Sequence, residues 1–120
     1  MDVKIDKVID YGTHDSERVL FNVVADCDLG RYMVADSTFN KEDVISNKLR
    51  HTYWFPDGNV KKGDKVVLYT KEGKNTKTDI SGGSNKLHTF YWNLKSSVWN
   101  NTGDAAVLLQ LATWEFKKVK

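Results

Sequence analysis

Apolar and polar residues alternate at a period of two over short runs, and polar turns separate the runs. Val3-Lys4-Ile5-Asp6-Lys7-Val8-Ile9 has this pattern, which predicts a strand with one face buried. A second strand is predicted over 18–26, with Val19, Phe21, Val23 and Ala25 on one face, and a third over 31–35, ending at Asp36-Ser37. The aromatic run 51–55 stops at Pro56-Asp57-Gly58-Asn59, a turn signal, and Lys61-Lys62-Gly63-Asp64 turns the chain again into a strand over 65–70. Further strands are predicted over 87–92 and 105–119, the last with its apolar face switching near Gln110, as at a bulge or a bend between sheets. Residues 40–50 admit either a short helix, with Val44, Ile45 and Leu49 inward, or an irregular loop. Residues 71–86 are polar apart from Ile80 and read as a mobile loop. Short strands with at most one helix predict a single all-β domain over 1–120, an immunoglobulin-like β-sandwich of two antiparallel sheets.

A chain of 120 residues has one domain's worth of core and needs no disulfide or structural metal to stabilise it. No apolar run is long enough for a membrane helix, so no membrane insertion is expected. The N-terminal alternation is not that of a secretory leader, and the lone Cys27 fits a reducing compartment. Both point to a cytoplasmic protein, or to a secreted one if a signal peptide has been removed. The overall charge of +2 conceals an asymmetry: residues 1–60 carry 7 basic and 11 acidic side chains, residues 61–120 carry 11 lysines and 5 acids.

Several separated segments resemble, in order, those of the lamin-tail domain, an immunoglobulin-like sandwich. They are Glu17-Arg18-Val19-Leu20-Phe21-Asn22; Leu29-Gly30-Arg31-Tyr32-Met33-Val34-Ala35-Asp36; Tyr53-Trp54-Phe55-Pro56-Asp57-Gly58 with 60–69; and Phe90-Tyr91-Trp92 with 98–104. The resemblance spans 17–109 and implies Trp92 and Trp99 in the core. Beyond it, Gln110-Leu111-Ala112-Thr113-Trp114-Glu115-Phe116 continues where the family turns back. Bacterial members are often fused to hydrolases, whose activity does not transfer to a chain without that domain.

Catalytic and metal chemistry have little support. His14, His51 and His88 are scattered, with no partner at a ligand spacing. Asp26-Cys27-Asp28-Leu29-Gly30 lacks the remaining ligands of a calcium loop, and the two aspartates disfavour a thiolate at Cys27. Ser81-Gly82-Gly83-Ser84-Asn85-Lys86 lacks P-loop spacing, and Asn100-Asn101-Thr102 reads as a turn rather than a glycan acceptor. No enzyme activity and no cofactor are expected.

What remains is binding. In each of the aromatic runs 51–55 and 90–92 at least one ring must point outward, with Trp54 and Tyr91 the candidates. Lys61, Lys62, Lys71, Lys74, Lys77 and Lys86 are candidate contacts to phosphate. The chain is therefore expected to be a non-catalytic interaction module for protein or nucleic acid; the alternative is a carbohydrate-binding or cell-surface domain. Oligomeric state is open.

Overall fold

The computed structural model describes residues 1–39, 42–80, 82–100 and 103–120. Among these residues ten strands form: β1 (Val3–Ile9), β2 (Arg18–Val23), β3 (Cys27–Asp28), β4 (Tyr32–Thr38), β5 (Thr52–Trp54), β6 (Asn59–Val60), β7 (Lys65–Tyr69), β8 (Thr76–Asp79), β9 (Lys86–Tyr91) and β10 (Asp104–Gln110). A five-stranded sheet in the order β1-β2-β7-β9-β8 packs against a three-stranded sheet, β10-β4-β5, and β3 pairs with β6. The molecule is an all-β sandwich, as the alternation predicts. No helix among the described residues is long and apolar enough to cross a membrane.

One open alternative is decided and two predicted features differ. Positions 42–50 hold an isolated bridge, Phe39 to Ile45, and positive φ at Asp43 and Asn47, so no helix forms among these residues; Asn40 and Lys41 lie outside the described ones. The polar stretch 71–86 is not one loop, because Thr76–Asp79 forms edge strand β8 against β9. Its four side chains are exposed, so the strand rests on backbone pairing and shows no apolar alternation. The last strand stops at Gln110, whose partner Tyr32 is the first residue of β4.

Among the described residues every strand pair is antiparallel except β7 and β9, which run parallel. The chain leaves β7, crosses over one strand position, forms β8, and returns through β9 into the gap.

Alternate residues of β2, β4 and β7 meet between the sheets. Val19, Phe21, Val66 and Leu68 from one layer face Tyr32 and Val34 from the other. An aromatic chain runs through this space. Phe21 meets Phe55 edge-on at 5.7 Å, Phe55 meets Phe90 at 5.1 Å, and Tyr53 meets Trp92 at 6.1 Å. Trp92 and Trp99 are 9% and 3% exposed and lie 5.8 Å apart. Their indole N–H groups donate to the carbonyls of Thr52 and Ala105, so each ring is buried with its polar atom satisfied.

Glu17 joins the segments that this core brings together. It is fully buried, and one carboxylate oxygen accepts from Thr70 Oγ1 at 2.6 Å and from the Val98 N–H at 2.7 Å. The other accepts from the N–H groups of Gly12 at 2.8 Å and Trp99 at 3.2 Å. Gly12 makes its turn at φ +85, a conformation that side-chain-bearing residues rarely adopt.

Glu17→Ala strands four donors at once and should cost roughly 3 kcal/mol or more, read as a lowered urea midpoint. Glu17→Gln should fall between the two, because its amide nitrogen faces two N–H or O–H donors that then lack an acceptor.

Candidate functional site

The six candidate lysines do not converge. Lys61, Lys62 and Lys86 meet at one corner through their main chains. The N–H groups of Lys61 and Lys86 donate to the Asp64 carboxylate, the N–H of Lys62 donates to Asp26, and the Lys62 carbonyl accepts from Asn85. The Lys86 ammonium is paired with Asp79. Lys71 and Lys74 lie at the other end of β7 and β9, about 17 Å away at the rise of a strand. The Lys71 ammonium sits 5.1 Å from the centre of the Tyr69 ring. Lys77, on edge strand β8, is in register with His88. Acids are interleaved with the corner lysines, so no continuous cationic surface forms from these six.

Tyr91 does point outward, but its ring is covered. Parallel pairing sets Tyr91 beside Tyr69, and the rings stack at 5.3 Å and 13°. On Tyr91, the chain at Gly73 presses so close that an added Cβ would lie 2.4 Å from a ring carbon. Arg18 and Lys71 lie against the Tyr69 ring. The column is closed, which leaves no free face for a base or a sugar.

Trp54 is different. Its indole N–H donates to the Gly30 carbonyl at 2.7 Å, which fixes the ring, yet the residue stays 46% exposed. Trp114, equally exposed, meets it edge-to-face at 5.1 Å. Arg31 covers Trp114 at 5.6 Å and donates to the Ala112 carbonyl at 3.2 Å. Trp114 and Arg31 are not among the residues that sequence reasoning singles out. Trp114 lies past the end of β10 and Arg31 in a short 3₁₀ turn, Leu29–Arg31, so neither position marks an outward pair. The turn requires Gly30, where a Cβ would lie 2.8 Å from the Cα of Asp57. Asp28 caps it, accepting from the N–H groups of Gly30 and Gly58, and these bonds lower its carboxyl below the ordinary range.

The interior acids have structural partners. His88 Nε2 lies 2.8 Å from Asp64, which also accepts from Asn85 and the two main-chain N–H groups. Burial opposes ionisation of Asp64, but these hydrogen bonds outweigh it and hold its carboxyl well below the usual carboxylate range. Asp36 accepts from the His51 main-chain N–H at 2.7 Å. Burial, then the carboxylates of Asp2, Asp28 and Asp26, push the Cys27 thiol up. Among the described residues no three His, Cys, Asp or Glu side chains gather as a metal-ligand set.

A shallow cleft of about 350 Å³ lies between the β8 edge and the turn at 56–60, floored by Leu29, Val60 and Phe90 and rimmed by Asp57, Asn75 and Lys77. The sequence matches no protein-family model, and no curated protein matches it.

Because the folded Asp64 carboxyl titrates below its unfolded value of about 3.9, its contribution is complete above about pH 4 and drains away as pH falls further. Asp64→Asn should therefore flatten the acid limb of a stability-versus-pH curve measured by urea unfolding.

Proposed function

We propose that the chain is a non-catalytic interaction module, built on an immunoglobulin-like sandwich of the lamin-tail kind, that docks a protein partner through Trp54, Trp114 and Arg31. The observation that carries this reading is the exposed indole pair, fixed by a hydrogen bond and by an arginine. Trp and Arg are the residue types that dominate binding energy at interfaces. The outer face of the three-stranded sheet adds apolar surface beside the pair at Met33, half-buried and in register with Trp54. An exposed apolar cluster of this kind supports a docking role.

A protein is favoured over nucleic acid by the dispersal of the lysines and by the closed Tyr69–Tyr91 column. A saccharide would have to use the same indole pair, so carbohydrate binding is the second reading.

The test is affinity capture, followed by titration of the purified partner against variants. Trp54→Ala and Trp114→Ala should each weaken binding about 10-fold or more, with an unchanged circular dichroism spectrum, while Lys71→Ala and Lys74→Ala leave it intact. Binding confined to a glycan array would replace this reading with the second. Binding only to single-stranded DNA, weakening steeply with salt, would return the site to the lysines.

A further inference from the structure

The two main sheets end in four edge strands, and three are protected against pairing with another chain. β1 carries Lys4 and Lys7 and shifts register between Ile5 and Lys7. β8 is four exposed polar residues, and β5 is three residues long and followed closely by Pro56. β10 has none of these devices. It runs seven residues, Asp-Ala-Ala-Val-Leu-Leu-Gln, in unbroken register with β4, without proline, lysine or bulge.

The hydrogen-bond alternation defines what this edge offers. Phe39 donates to the Gly103 carbonyl and Leu111 to the Arg31 carbonyl, so the odd-numbered positions of β10 bond to β4. The N–H and C=O groups of Asp104, Ala106, Leu108 and Gln110 point to the open side. Its side chains, Asp104 to Leu109, are neither buried nor fully exposed.

We propose that β10 pairs antiparallel with β10 of a second copy of this chain, across a twofold axis at Val107. The strand suits itself in that register. Val107 is its midpoint, Ala106 meets Leu108 of the copy as a hydrogen-bonded pair, and Asp104 meets Gln110, so no like charges face each other. The free backbone groups on the even positions satisfy one another, which only a strand can do. The result is a six-stranded sheet in the order β5-β4-β10-β10-β4-β5, an isologous interface with closed symmetry. This surface is separate from the Trp54–Trp114 pair, which lies at the β5 end of the same sheet.

Sedimentation equilibrium of the full chain should show a dimer. Val107 faces outward, away from the core, and sits on the axis, so Val107→Lys sets two ammonium groups face to face, and Val107→Glu two carboxylates. Each variant alone should sediment as a folded monomer, and an equimolar mixture should restore the dimer. In a Cys27→Ser background, Val107→Cys should cross-link to itself on oxidation, since directly opposed non-hydrogen-bonded positions lie within disulfide reach; this reads the same register without a charge. Trp54→Ala should leave the dimer intact, so failure of the docking reading and failure of this one are told apart. A wild-type chain that remains monomeric at about 1 mM, or a dimer that neither Val107 charge variant disturbs, would overturn the proposal.

Discussion

The buried carboxylate of Glu17 is the constraint on which the sandwich depends. Its four acceptor contacts tie the turn at Gly12, the end of β7 at Thr70 and the main chain at Val98 and Trp99 to a single point. Fixing Trp99 there sets its ring against Trp92 and its N–H on Ala105, the second residue of β10. One side chain at the start of β2 thereby positions elements of both sheets. Hydrogen bonds to a charged acceptor are worth roughly 1.5–3 kcal/mol each, against a desolvation cost of several kcal/mol. The net gain in stability is small beside what the arrangement specifies: one way of joining three distant segments.

Three other acids work by the same logic, Asp36 and Asp64 buried and Asp28 half-exposed. Asp28 holds the 3₁₀ turn against Gly58, Asp36 holds His51, and Asp64 holds the 61–64 turn against Asn85 and Lys86. Each spends its oxygens on main-chain N–H groups that a sandwich leaves unpaired at its corners. Carboxylates placed this way support geometry, and the exposed indoles of Trp54 and Trp114 stand apart from them.

Most strands were legible because each buries one face, so Val3–Ile9 and Arg18–Val23 carry the alternation that marks a half-buried strand. Alternation did not mark Trp92 and Trp99 as core; their burial was an expectation of the resemblance, and both rings are buried. β8 was illegible because Thr-Lys-Thr-Asp buries nothing, and the parallel course of β9 because alternation carries no direction. The site was legible in part. Alternation put Trp54 outside but could not bring in Trp114 and Arg31, which arrive from other parts of the chain. It put Tyr91 outside too, and missed that Gly73, eighteen positions earlier, would lie against its ring. Lysine spacing says nothing of separation in space once a turn and two strands intervene.

The parallel neighbours β7 and β9 have a consequence for assembly. The link at 70–75 must vault an empty slot two strand spacings wide, about 10 Å, before β9 fills it from the far side. β8 and β9 then pair as an antiparallel hairpin, with β9 lying between β8 and β7. Six residues can reach roughly 20 Å, so the link has length to spare, and it spends part of it lying against Tyr91 at Gly73, where only a glycine lets the backbone pass so low over the ring.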